Sequence, residues 1–550
     1  MRLRIVFLAF LVFLGLCSPA RAEDCGIRGN DGGTDVVQLD CQDAATFATS
    51  PSPLKIRTPS GIRGLTLVNP EDIGASKFRV RYTDGSGDHI KAIGFVSSGA
   101  AGMTPCETLQ MIGYHPDPKY ALSGTYSMGD DIDCSATNPA NTASINCSTA
   151  STTPGSLWKC GYAKRFNSMG VDGNPDVSGN PLNDDSIPAL EGLETGGFKP
   201  IGNSTTKFTG TFNGQGHKVQ GLYIARPTED YAGLFGYTSG ATISNVGITD
   251  GSSVSGANYP GGLVGAISKS SSVINCYSRA SVTSSNYGAG GLVGNNNAST
   301  ITRSYASGSV TAVSGGGGFV GHVSSSSGLF TCGSFGTVSQ CYSTGTVTFT
   351  SATSAGSAGG FVGSMSGGKI SDSYAAGNVN GTALYAGGFI GSSSKSLFCG
   401  SFIDRSYASG FVAGRLIVGG FLGYNGSVTG LTNGAVISNS FSTGPVAGSV
   451  KGGFLGENIS SIKVINNCAW VKGSLRALGC NIVESTYGLC GSYWDPDVSL
   501  LSSNGWGTDS ASLSAFHSTS HPVYSGWEFT SVWRSRTANL PCLRWDTNCA

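Results

Sequence analysis

Charge is scarce in this chain. Only 12% of its residues are Asp, Glu, Lys or Arg, and 33 basic side chains balance 33 acidic ones. Near-zero net charge provides no field to hold a polyphosphate backbone, so no nucleic-acid partner is expected. Past the first residues, no apolar run approaches the roughly 20 residues of a membrane-spanning helix. No integral membrane segment is therefore expected in the mature chain. Glycine is plentiful at 84 residues, yet it does not recur at every third position, which excludes collagen. The glycine-rich stretches lack the Lys-Ser/Thr of a phosphate-binding loop, and no G-x-S-x-G nucleophile elbow is present.

The N-terminus has its own character. "MRLR" supplies positive charge, "IVFLAFLVFLGL" an apolar core, and "ARA" closes on an A-x-A pattern at Ala20–Ala22. Residues 1–22 read as a signal peptide cut after Ala22, and Leu16 before Cys17 argues against lipidation. The chain is thus expected to be exported, to the cell surface or medium, with the periplasm left open. Sixteen cysteines less Cys17 leave fifteen, which in an oxidising compartment should largely pair.

What is present instead of charge is repetition. Eight five-residue phrases recur: "AGLFG" at 232, "GGLVG" at 261 and 290, "GGFVG" at 317 and 359, "GGFIG" at 387, "GGFLG" at 419 and 452. A second phrase follows each, as in "VINCYSRASV" (273), "ITRSYASGSV" (301), "ISDSYAAGNV" (370) and "ISNSFSTGPV" (437). Each unit carries short β-type runs between Gly/Ser/Asn turns and no helical periodicity. A single unit cannot bury its apolar face, but units stacked in register share one core. The spacing predicts an all-β chain: a right-handed parallel β-helix of about eight or more coils, rising ~4.8 Å per coil.

Both apolar sites of the pentapeptide, such as Phe361 and Val362, must be accommodated, so a corner is expected there. In the second phrase, the site of Arg303, Gln340, Asp372 and Arg405 should face water. The next site, holding Ser304, Ser373, Ser406, Cys276, Cys341 and Cys468, should point inward. The following aromatics (Tyr277, Tyr305, Tyr342, Tyr374, Tyr407, Phe441) should stack as a structural ladder.

The G-G-[LF]-[VIL]-G phrases with their following I-x-x-[SC]-[YF] resemble GLUG-motif repeats of bacterial secreted and surface proteins. These include adhesin-like proteins and IgA-specific metallo-endopeptidases. The lead-in "FKPIGNSTTKFTGTFNGQGHKVQGLYI" (198–224) and the close "SYWDPDVS" (492–499), "GWEFTSVWR" (526–534) and "LPCLRW" (540–545) share the likeness. The likeness covers about Cys106 to Trp545 and not residues 23–100; the expected organisation is a signal peptide (1–22), an N-terminal β domain or cap (23–104), a lead-in segment (105–230), the repeat β-helix (231–478) and a disulfide-rich C-terminal cap (479–550).

Chemistry is harder to find. The metallo-endopeptidases carry H-E-x-x-H, whereas the six histidines here include no such pair; "HSTSH" (517–521) lacks the carboxylate base. β-Helical lyases and hydrolases need clustered carboxylates, and Asp372, Asp404 and Glu457 occupy separate coils or sites that should not stack. Asp172, Asn174, Asp176 and Ser178 alternate like a calcium loop, but Val177 stands where the loop Gly belongs. They are weak candidates for calcium, and no other cofactor is expected. Cys332 and Cys399 sit in matching insertions two coils apart, and protruding loops could bridge them over the shorter coil between. The favoured reading is a non-catalytic, adhesin-like exported protein binding an extracellular glycan or protein along the rod. The alternative is a carbohydrate-active enzyme, a polysaccharide lyase or hydrolase. The insertions Ser324–Ser339, Ser392–Ser401 and Tyr424–Val436 are where specificity would be expected.

Overall fold

A computed structural model describes residues 104–115, 120–147, 155–160, 193–326, 332–351, 356–394, 399–426, 435–458, 528–536 and 539–546. It also describes strands at 28–30, 36–38, 54–58, 61–65, 80–83, 88–91, 93–95, 465–466, 469–470, 493–494 and 508–509. The signal-peptide region, the calcium candidates and the 517–521 histidines lie outside these residues.

The repeats form a parallel β-solenoid. Every pentapeptide contributes a strand to one 8-stranded sheet, in chain order, and the second phrases build a 21-stranded sheet. A 12-stranded sheet closes the coil. Register is kept site for site: Val264 pairs with Val293, Val293 with Val320 and Val320 with Val362, all parallel. The ladder of second phrases begins at Ile93–Phe95, inside the stretch expected as an N-terminal domain or cap, which pairs with Thr125–Ser127, and that strand pairs in turn with Thr211–Asn213. It runs on through Tyr493–Trp494 and Thr508–Asp509, inside the stretch expected as a cap. Further upstream, the strands Arg28–Asn30, Val36–Gln38, Leu54–Thr58 and Gly61–Leu65 form a four-stranded antiparallel sheet.

The core is a set of columns running along the rod. Phe319, Phe361, Phe389, Phe421 and Phe454 stack ring on ring at 4.7–4.8 Å. All are buried, and Leu234, Leu263 and Leu292 continue the column. The adjacent valine and isoleucine column is buried as well, because the chain bends at the Gly-Phe step instead of alternating through it.

The paired glycines are there for close approach. Gly359 and Gly360 do not have positive φ. A Cβ on Gly359 would run into the Val362 carbonyl oxygen, and one on Gly360 into the Gly388 carbonyl of the next coil.

Left-handed backbone appears elsewhere, at residues that are not glycine. Asn245, Asn275, Arg303, Gln340, Asp372, Arg405 and Asn439 all hold φ between +46° and +55°. This site was expected only to face water, but it makes the bend inside each second phrase. The strain, of order 1 kcal/mol per residue, is met by the next side chain. Ser304 Oγ accepts from Cys276 N (3.0 Å) and donates to Thr302 O (2.8 Å); Ser373 Oγ donates likewise to Ser371 O (2.7 Å). Small inward-facing groups at this site are thus bend-stabilising groups.

The lead-in carries a short helix, Pro105–Met111, with a capping box between Thr104 and Glu107. It is pinned by the Cys106–Cys134 disulfide and by Gln110, whose amide makes both hydrogen bonds to the Lys199 backbone. Cys147 and Cys160 form a second disulfide.

Candidate functional site

The bend residue turns the following aromatic outward. Tyr277, Tyr305, Tyr342, Tyr374, Tyr407 and Phe441 stack at 4.8–5.0 Å with ring planes within 6° of parallel. The C-terminal segment lies along the side of this ladder. Its strands Trp533–Arg536 and Asn539–Leu543 form an antiparallel hairpin. Trp533 is buried against Phe441 at 6.1 Å, and Trp545 lies 6.3 Å from Tyr342 and 6.2 Å from Tyr374. Burial under the hairpin pushes the Tyr407 hydroxyl well above its ordinary pKa.

The hairpin leaves the lower ladder uncovered, and a cleft of about 430 Å³ opens at its edge. Arg303, Ser304, Tyr305, Gln340, Tyr342 and Trp545 line it. Arg303 and Gln340 belong to the left-handed column, and that column's pairing explains their state. On one side, Asn245 Nδ2 donates to Asn213 Oδ1 (3.0 Å) and Asn275 Nδ2 to Asn245 Oδ1 (2.8 Å). On the other, Arg405 grips Asp372 through Nε (2.7 Å) and Nη2 (2.9 Å) and also pairs with Asp404. Asp404 Oδ1 in turn accepts from Ser438 Oγ and Asn439 Nδ2, both at 2.8 Å. Between these two networks, the side chains of Arg303 and Gln340 have no hydrogen-bond or ion-pair partner among the described residues.

Asp372 and Asp404 do occupy different sites, since Asp404 pairs across the sheet with Ser371. Arg405 nevertheless draws both carboxylates onto one guanidinium, an encounter that site-by-site stacking did not foresee. Glu457 lies apart on the 8-stranded sheet, opposite Tyr424. Among the described residues no group of three or more His, Cys, Asp or Glu converges as metal ligands. The Asp172, Asn174, Asp176 and Ser178 set falls outside them.

Cys332 and Cys399 are joined as a disulfide, with Cα atoms 4.9 Å apart. The intervening coil has Gly367 beneath the crossing, where a Cβ would meet Cys399 Cβ at 3.0 Å and Ser325 Oγ at 3.1 Å. Residues 327–331, 395–398 and 427–434 of the insertions lie outside the described residues. Cys276 and Cys341 are free thiols, and burial pushes each up to about 12. They are packing groups. Trp545 had no signal in the repeat pattern, because its partners lie some 200 residues earlier in sequence.

Residues 285–311 match the family described as the GLUG motif. Over 72 residues the chain is 44% identical to halomucin of Haloquadratum walsbyi, a match spanning 13% of this chain and 1% of that protein. Among solved structures, a candidate immunoglobulin A1 protease from Bacteroides ovatus superposes at a TM-score of 0.33 with 18% identity. That alignment covers 80% of this chain and 91% of the other. The stretch 285–311 that matches the GLUG motif is one coil of the solenoid, and its neighbours repeat the same phrases in register.

Proposed function

We propose that this is an exported, non-catalytic interaction protein, secreted or held at the cell surface, that binds an extracellular glycan or protein along the side of its β-solenoid. The observation that carries the reading is the chemistry of the Trp545 cleft. Its lining offers an indole, two phenol rings, a guanidinium and an amide, and neither a carboxylate nor an imidazole. That is a set for recognition: aromatic surface against the apolar faces of a ligand, with fixed donors for its polar groups. General acid–base work on a glycosidic bond calls for a carboxyl pair, and the Asp372 and Asp404 pair is occupied by Arg405. The export leader and the likeness to halomucin, a match of 13% of the chain, agree with an extracellular setting.

The test is a glycan and protein array probed with the mature chain and with Gln340→Ala and Trp545→Ala, beside a polysaccharide-depolymerisation screen. Binding weakened by both substitutions, without product release, is the expected outcome. Turnover abolished by changing Asp372 or Asp404 would replace this reading with the enzyme.

A further inference from the structure

The left-handed column gives each coil one outward side chain, and most coils use it to grip a neighbour. Asn245 and Asn275 do so, and the carboxylate–guanidinium network does so from Asp372 to Asn439. The run is broken at Arg303 and Gln340, and these two line the cleft. A bend at φ +50° accepts Asn most readily among side chains, and neighbouring coils use Asn. At Arg303 the bend is held by the Ser304 hydroxyl, and the guanidinium itself has no partner among the described residues. Asp250 is engaged by Arg279 at 3.3 Å and Asp372 by Arg405 at 2.7 Å. Arg303 thus presents a cation at an aromatic-walled cleft that contains no anion of its own.

We propose that the cleft takes a carboxylated saccharide, with Arg303 pairing with its carboxylate and Gln340 with an adjacent hydroxyl. The inference rests on the glycan-binding reading above and narrows it to acidic sugars. A guanidinium forks both its donors onto a carboxylate, which adds orientation as well as attraction. Gln340, one coil along, supplies a donor and an acceptor, the pair a sugar hydroxyl uses. Trp545 and the edges of Tyr305 and Tyr342 provide the apolar wall, and about 430 Å³ is within the range of small-ligand sites.

The test is calorimetric titration of the mature protein with tri-galacturonate against tri-galactose, and with 3′-sialyllactose against lactose. Arg303→Gln is the control variant, since Gln340 already occupies the same bend at φ +55° and the fold tolerates it. At least one acidic probe should bind tenfold or more tighter than its neutral partner, weaken with added salt, and drop to the neutral level in Arg303→Gln. Equal affinities for acidic and neutral partners, unchanged in Arg303→Gln, would overturn the acidic specificity while leaving glycan binding in place. Binding of neither acidic probe would also overturn it. Release of reducing ends from tri-galacturonate would instead overturn the non-catalytic reading.

Discussion

Replacing Phe389 by Ala probes the solenoid where its reasoning is most exposed. The ring is fully buried and sandwiched between Phe361 at 4.7 Å and Phe421 at 4.8 Å. Burying a phenylalanine removes some 150–250 Å² from water, which at about 25 cal/mol per Å² corresponds to about 4–6 kcal/mol for the whole residue. Alanine keeps its backbone and Cβ share, and the two flanking rings lose about 0.5–1.5 kcal/mol of stacking each. Collapse into the gap is limited because the neighbouring coils are tied in register by parallel pairing on both sides. The expected loss is about 3–5 kcal/mol, read from urea unfolding followed by far-ultraviolet circular dichroism. Phe402→Ala is the internal comparison: that ring is 42% exposed and should cost less than about 1 kcal/mol. If Phe389→Ala also cost under 1 kcal/mol, the phenylalanine column would not be core and the stacking argument would fail.

Three further outcomes follow from the same geometry. Cys276 and Cys341, held up to about 12 by burial, should resist a thiol reagent at pH 8 and react only on denaturation; labelling of the native protein would contradict their placement. His322 lies between Ser364 Oγ (2.8 Å) and Ser366 Oγ (3.0 Å), and desolvation lowers it to about 4. The unfolded state therefore binds the proton more readily, so stability should be full above about pH 6.5 and fall as pH drops towards 4. His322→Asn should flatten that window in a pH series of melting curves, and an unchanged slope would show that the imidazole is not its source. Opening the Cys332–Cys399 link by Cys332→Ser should cost about 2–4 kcal/mol and lower the melting temperature under oxidising conditions; identical melting would mean the loops are held without it.

The periodic chemistry of the chain was enough to determine its architecture. Eight recurring glycine-apolar phrases, seven of them opening on Gly-Gly, and a following aromatic define which sites repeat. Stacking in register turns every repeated site into a column, so the phenylalanine core and the tyrosine ladder are both legible before any fold is seen. The glycines also announced a tight place, although only the structure shows that Gly359 and Gly360 serve close approach while the left-handed bend is made by Arg303, Gln340 and their equivalents. Periodicity describes what a coil shares with its neighbours and says nothing about where they differ in partnership. That Arg405 reaches across to both Asp372 and Asp404, and that Arg303 and Gln340 find no partner among the described residues, depends on side-chain reach between coils. The cleft itself required the tertiary structure: Trp545 meets Tyr342 at 6.3 Å only because the C-terminal hairpin folds back along the ladder, a contact between segments that no local spacing connects.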